Sequence, residues 1–413
     1  MNKIWLAIPR GIIYQGIFDN VKHLFLAPFC KLNDNQLVID FSTKFSKLIG
    51  RKYCVPFPLA RVALYFVLKA KNFPEGSEIL MPPITIKSML DVVLDLKLKP
   101  VFVDINLETL TFDGNLIKSS ITPKTKAILV TYLFGMVPNI EEIVHICREH
   151  NIFVIEDFSQ CLNGKYKAKA IGSWGDVGIY SASSIKTLDT YGGGLAVCDD
   201  DNLYNLLYES ELSLMAVDRK NLIKKIVTNL VRNLATQRLI FNYVTFPFIK
   251  QISKKTPEKL LKQTGERDLA TITTLPAVWF TKYSSLQAAV GLKKIQALEQ
   301  QDKVRIRNCE TVKLALPSIR FPSGVLQSVN VYWQFVAYFA NPLLVQKYLQ
   351  NLKIDSAKTS LTKISSLSQY PYSGITPNAN YLYENSLFIP THFNLSEGDL
   401  RYLIESLKEI NAK

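Results

Sequence analysis

Histidine is scarce in this chain, four residues in 413 (His23, His145, His150 and His392), and no two of them stand at metal-ligand spacing. The six cysteines (Cys30, Cys54, Cys147, Cys161, Cys198 and Cys309) are scattered without a Cys-x-x-Cys pair. That argues against a zinc cluster and a disulfide framework, and it favours a reducing compartment. A long apolar run is missing too. The most apolar stretch, Met1 to Asn35, is broken by Pro9-Arg10 and charged at Asp19 and Lys22. No unbroken piece of it is long enough to span a bilayer, and it lacks the long apolar core and small-residue cleavage site of a secretory leader, so it reads as a retained N-terminal arm. Acid is short relative to base, 35 residues against 49, for a net charge of +14. Much of the excess is local, with eleven basic residues against two acids between Val217 and Gln263. Such a balance raises nucleic acid or an anionic membrane as partners, but no nucleic-acid recognition motif accompanies it, and nucleic acid is set aside.

What is present is a large apolar content, 48% of residues, ample for a large domain and a smaller one. Short apolar runs at Glu78 to Met81, Pro100 to Asp104, Ala127 to Tyr132 and Ile152 to Ile155 alternate with helical patterns such as Pro138 to His150. Strand–helix–strand alternation predicts a mostly parallel sheet with helices on both faces. The chain is organised around Val154 to Gly194. There a strand ends in the acid pair Glu156-Asp157, a second strand, Val177 to Ser181, runs into a hydroxyl-rich turn, and Lys186 stands in an uncharged segment before Gly192-Gly193-Gly194. An acid at one strand end, with hydroxyls and a lone lysine at another, is the set of groups a pyridoxal phosphate site needs. The lysine bonds the cofactor's aldehyde, the acid pairs with its ring nitrogen, and hydroxyls and backbone N–H groups hold its phosphate.

Four linked motifs in this stretch, Glu156-Asp157-Phe158-Ser159-Gln160, Gly172-Ser173-Trp174-Gly175-Asp176, Ser181 with Lys186, and Gly192 to Gly194, resemble the DegT/DnrJ/EryC1/StrS family of sugar aminotransferases. The resemblance continues in Leu286-Gln287-Ala288-Ala289-Val290-Gly291 and in the closing Ser396-to-Asp399 segment, and it covers roughly residues 40 to 413 apart from the basic segment. It implies a three-layer α/β/α fold, the type I pyridoxal-phosphate transferase fold, with a smaller C-terminal α+β domain. The division it suggests is an apolar arm (1–35), a large cofactor-binding domain (36–215), a basic amphipathic insertion (216–277), a connecting helix (278–301) and a small domain (302–413).

The family further implies pyridoxal 5'-phosphate as cofactor, with Lys186 and Asp157 as catalytic residues. Gln160, Ser181, Ala60, Arg61 and Ile86 join them around the cofactor, and no metal is needed. It implies an amino-acid donor, glutamate by analogy, a nucleotide- or lipid-linked keto-sugar acceptor in cell-surface polysaccharide, lipopolysaccharide or glycolipid synthesis, a homodimer, and a cytoplasmic enzyme. Three positions depart from the pattern: Arg61 replaces a threonine of the phosphate cup, Ile86 an aromatic ring that stacks on the cofactor, and Phe280 an asparagine that reaches the partner's cofactor phosphate. An aliphatic residue covers a pyridine face by dispersion but gives up a ring–ring contribution on the order of 1 kcal/mol. Arg61 near a helix N-terminus suits a phosphate; anchoring a surface is its alternative role. These departures keep open a non-catalytic protein, or a dehydratase, on the same scaffold, although dehydratase relatives replace the lysine that Lys186 retains.

The arm and the basic segment fall outside the resemblance. Leu222 to Ile249 reads as a basic amphipathic helix, with Ile223, Ile226, Val227, Leu230, Val231 and Leu234 on one side, followed by an aromatic-rich piece. Aromatics of the arm (Ile4, Trp5, Phe18, Phe25 and Phe29 among its apolar residues) and of the segment (Phe241, Tyr243, Phe246, Phe248) beside lysines have the composition of a surface lying in the headgroup layer of a membrane's inner face. Burial within the protein or at a dimer interface is the competing expectation.

Overall fold

The computed structural model describes residues 6–255, 274–367 and 374–411. A seven-stranded sheet runs in the order Tyr53–Phe57, Gly194–Cys198, Val177–Ser181, Phe153–Asp157, Thr125–Thr131, Glu78–Met81, Lys99–Phe102. Every neighbouring pair from Val177–Ser181 to Lys99–Phe102 is parallel, and Gly194–Cys198 alone is antiparallel to both strands it touches. Successive side chains of a strand point to opposite faces, and each face here has its own core. Val154, Val130, Ile128 and Leu80 enter one, with Phe41, Phe45, Ile143 and Cys147 from two helices. Ile155, Leu129, Ile79 and Met81 enter the other, with Val62, Leu64, Met89 and Leu90. Fully burying one such aliphatic side chain contributes about 1.5–3 kcal/mol, so the two cores account for the near-continuous apolar strands. Three α/β/α layers result.

Local chemistry sets the helix limits. Asp34 accepts hydrogen bonds from Gln36 N and Leu37 N to start Asn35–Ile49, and Gly50, at φ +77°, ends it in the left-handed conformation that glycine adopts without strain. The last helix, Glu397–Asn411, is preceded by Ser396, whose Oγ accepts from Asp399 N (3.1 Å).

The C-terminal part has a separate core around an antiparallel pair, Phe335–Tyr338 with Ser386–Ile389, covered by Pro342–Asn351, Leu298–Ala315 and the last helix. The N-terminal arm is tied to this part of its own chain. Ile8 N donates to Lys353 O, Asp355 N donates to Ile8 O (both 2.9 Å), Ile8 is fully buried, and Arg10 grips Asp355 with two hydrogen bonds of 2.6 and 2.7 Å. Further on, Ile17–Leu26 packs against the basic helix Arg219–Thr236.

The headgroup-layer expectation is therefore corrected in part. Ile13, Phe241 and Phe246 are buried inside the protein, whereas Phe18 (91% exposed), Phe25 (72%), Phe29 (89%), Tyr243 and Phe248 face outward. Ile4, Trp5, Lys259 and Lys262 lie outside the described residues. The buried arc of the basic helix is also not the one its apolar pattern suggests. Leu222, Ile226, Asn229 and Asn233 face inward, while Val227 and Val231 are exposed. The helix docks on backbone and acids of polar loops, where an asparagine amide satisfies groups that a valine would strand. No helix among the described residues is long and apolar enough to cross a membrane.

Candidate active site

In a parallel sheet, ligands gather at the carboxyl ends of the strands, and the residues singled out in the sequence meet there. Adjacent strand residues point to opposite faces, so the acid pair Glu156-Asp157 splits. Glu156 is fully buried on the far side, where it accepts from Tyr132 OH (2.5 Å), Gly172 N (2.9 Å), Trp174 N and Gly175 N (both 2.7 Å). It is not presented to a ligand, contrary to the expectation for the pair. The Gly172-Ser173-Trp174-Gly175-Asp176 motif is likewise structural: Glu156 holds its start, and Asp176 accepts from Val154 N (2.7 Å) at its end.

Asp157 faces the site. It is 6% exposed, and its Oδ1 accepts from Ser159 N (3.1 Å). Burial pushes its carboxyl above the usual carboxylate range, more than the Ser159 contacts and the nearby Lys186 charge pull it down. Lys186 is 5% exposed, on the turn after Val177–Ser181, and its Nζ lies 3.9 Å from the centroid of the Trp333 ring. Trp333 Nε1 donates to Ile185 O (2.9 Å), so the indole both covers the lysine and fixes the turn before it. Ile185 itself sits at φ +75°, a left-handed conformation that a β-branched side chain tolerates poorly; strain of this kind persists where the surroundings over-determine it.

Ser181 Oγ lies 3.0 Å from Ser183 Oγ, and Ser181 N donates to Ser159 Oγ (3.0 Å), which joins the two strand ends. Ser181 pairs with Gly194, and the Leu59 backbone bridges to Gly193. A Cβ on Gly194 would fall 2.2 Å from Leu59 carbonyl atoms and 2.4 Å from Ala60 N, so only glycine lets the strand touch the start of the helix Ala60–Lys71. Gly194→Ala is therefore expected to lower stability by about 1–3 kcal/mol, read as a shift in the denaturation midpoint. The N-cap of this helix, Leu59, supplies no side-chain hydrogen bond, and Ala60 and Arg61 open its first turn. The structure thus brings Ser181 and the helix start at Ala60 around one glycine, a cradle whose hydroxyl and backbone donors suit a phosphate, with Arg61 the next residue of that helix. Arg61 also lies over the Trp279 ring (4.4 Å to its centroid).

Gln160 Oε1 accepts from Phe134 N (2.7 Å), holding a residue at φ +57°, which leaves Nε2 as the atom for a ligand. Ile86 caps the helix Lys87–Asp95 between two cores. Phe280 packs edge-on against Tyr65 and Phe66 and presents no hydrogen-bonding group. No group of three His, Cys, Asp or Glu among the described residues could hold a metal ion.

Several further residues shape this site. Trp333 lies just ahead of the strand Phe335–Tyr338, which does not start earlier because Val331 N turns to Gly135 O (2.9 Å) and Tyr332 adopts φ +46°. Asn229 of the basic helix donates to Ser184 Oγ (3.1 Å) and to the buried Asp189, and Gln287 Nε2 donates to Gly192 O (2.9 Å). Among these, only Gln287 carried a sequence signal, the Leu-Gln-Ala-Ala motif.

Residues 31–232 match the DegT/DnrJ/EryC1/StrS aminotransferase family. A stretch of 180 residues, 44% of the chain, is 33% identical to GDP-perosamine synthase of Escherichia coli O157:H7 and spans half the length of that relative. Among solved structures, the aminotransferase from Psychrobacter cryohalolentis superimposes with a TM-score of 0.74 at 19% identity, covering 96% of both chains. The E. coli GDP-4-keto-6-deoxy-D-mannose-3-dehydratase with bound hydrated PLP gives a TM-score of 0.74 at 19% identity over 97% of this chain and 99% of that one. The fold is that of these solved structures, as the sequence led us to expect.

Proposed function

We propose, for a chain whose residues 31–232 belong to the DegT/DnrJ/EryC1/StrS aminotransferase family, that it moves an amino group from an amino acid, glutamate by resemblance, to a keto-sugar. The observation that carries this reading is the pairing of two buried, oppositely charged groups, Lys186 and Asp157, after adjacent strands, beside the Ser181 and Ala60 backbone and hydroxyl donors. Pyridoxal phosphate, bound there, supplies an electron-withdrawing ring that stabilises negative charge on the substrate carbon. Lys186 would be the residue that holds the cofactor through its Nζ, and its amine would serve to move a proton to and from the substrate carbon. Asp157 keeps a carboxylate where a cationic ring nitrogen needs it, and that cation in turn relieves the cost of the buried acid. Ser181, Ala60 and Arg61 would hold the phosphate, Gln160 Nε2 would be free to meet the ring, and Ile86 and Trp333 would shut water out.

The sugar acceptor is supported by the relative's name, and its nucleotide or lipid carrier by analogy with cell-surface polysaccharide synthesis. Lys186 argues against the dehydratase alternative. The test is direct: purified protein given pyridoxal phosphate is expected to show the near-visible absorbance of bound cofactor, bleached by glutamate and restored by a keto-sugar. Protein that takes up no cofactor would be the non-catalytic scaffold instead.

We read the enzyme as a cytoplasmic homodimer. The outward rings Phe18, Phe25 and Phe29 adjoin the cations of the basic helix, and this one surface has two candidate coverings, a second copy and an anionic bilayer. Flotation with anionic liposomes at low salt separates them. A membrane surface predicts that wild-type protein floats and that Lys220, Lys224 and Arg232 changed to Glu keep it at the bottom, each cation contributing about 1 kcal/mol. Protein that stays down in both forms, and sediments as a dimer, assigns the surface to the subunit interface.

A further inference from the structure

The basic helix Arg219–Thr236 does more than fill surface, because it lies along the turn that carries Lys186. Asn229 reaches Ser184 and Asp189, and one helical turn earlier Lys225 reaches Gly192. A Cβ on Gly192 would stand 2.9 Å from Lys225 Nζ, so the ammonium lies against the glycine turn itself, at φ +119° and +135° for Gly192 and Gly193. The same turn bridges Leu59, the uncapped start of the helix bearing Ala60 and Arg61, and its next residue, Gly194, pairs with Ser181.

Lys225 is half-buried and has no hydrogen-bond acceptor or ion-pair partner among the described residues. Burial lowers its pKa, and the Arg61 charge lowers it further, against a weaker opposite pull from Asp218. An ammonium partly stripped of water therefore lies against the turn, with the Arg61 charge near enough to oppose it. Such an arrangement costs free energy unless an anion completes it. The helix end alone would not make this a site. The ammonium against a turn that bridges Leu59 and leads into the partner of Ser181 does.

We propose that Lys225 is a phosphate ligand of the cofactor site, supplied by the basic helix of the same chain, beside Arg61 and Ser181. The inference rests on the reading of this pocket as a pyridoxal phosphate site, and it gives the inserted basic helix a role in binding. Phe280 presents no donor, and Lys225 supplies a charge-assisted one from within the subunit.

The test compares two ligands that differ only in the phosphate. Apoprotein is titrated with pyridoxal phosphate and with pyridoxal, reading intrinsic fluorescence and near-visible absorbance, for wild type, Lys225→Gln and Lys225→Arg. Lys225→Gln is expected to weaken pyridoxal phosphate about ten- to a hundredfold and to leave pyridoxal unchanged, and Lys225→Arg to recover most of the loss. Equal affinity of wild type and Lys225→Gln for pyridoxal phosphate overturns the proposal. So does a parallel loss for both ligands, which would mark Lys225 as a support of the turn, and so does an arginine variant no better than glutamine. Wild-type protein that binds neither ligand brings down the cofactor reading of the whole pocket, a result distinct from the other three.

Discussion

Lys186→Ala is expected to abolish amino transfer, by on the order of 10⁴-fold or more, while the fold survives. Two roles end with one side chain, the bond to the cofactor and the proton transfer at carbon, and positioned proton transfer alone contributes about 10²–10⁴-fold. Trp333 stays fixed through its bond to Ile185 O, and the turn stays closed by Lys186 N to Ser183 O (3.1 Å), a backbone contact that alanine keeps. Single-turnover kinetics and a thermal melt read the two halves of this expectation. Retained amino transfer to any keto acceptor would remove Lys186 from the mechanism.

Asp157→Asn should separate activity from stability. Removing a charge that the transition state uses costs about 3–4 kcal/mol where the environment is preorganised, a loss of roughly 10²–10³-fold, whereas Ser181→Ala removes one of several phosphate contacts and costs about 1 kcal/mol. Stability of the apoprotein moves the other way. The folded pKa of Asp157 is raised, so between the unfolded value of 3.8 and the folded one the native state binds more protons than the unfolded state, and stability falls as pH rises through that window. At neutral pH the penalty for the buried carboxylate is fully present, and asparagine lifts it. Apo Asp157→Asn is therefore expected to melt higher than apo wild type at pH 7 and no higher at pH 3, while the order at pH 7 reverses once cofactor is bound. Equal activity losses in Asp157→Asn and Ser181→Ala, or an apo melting point lowered by the asparagine, would contradict this division of roles.

Much of this was legible because it is local. Asp157 and Lys186 are placed by strands whose apolar runs are unmistakable and whose ends carry motifs in fixed order. The sheet follows from the same alternation, since a strand buried on both faces leaves no room for a polar period. What was not legible depends on contacts far apart in the chain. Nothing in the order Glu156-Asp157 says which acid turns to the ligand; the strand pleat and four hydrogen-bond donors from across the fold decide it. Trp333 reads as one more apolar residue of a strand until Tyr332, distant in sequence from Lys186, breaks the pleat against Gly135. Asn229 and Lys225 look like the polar face of a surface helix, and only docking on the Gly192 turn makes that face inward. Hydrophobic periodicity misjudged this helix because its inner face is mixed, with Leu222 and Ile226 in an apolar cluster beside Tyr191, and Asn229 on a polar loop.

The aromatic packing of Phe280 on Tyr65 and Phe66 also bears on how the protein behaves when it is scarce. An asparagine reaching across to a neighbouring copy would tie occupancy of each pocket to assembly, so that dilution past subunit dissociation would empty both. A phenylalanine turned into its own subunit removes that tie. On the proposed assignment, in which Ser181, Ala60, Arg61 and Lys225 all belong to one chain, cofactor retention is expected not to change on dilution.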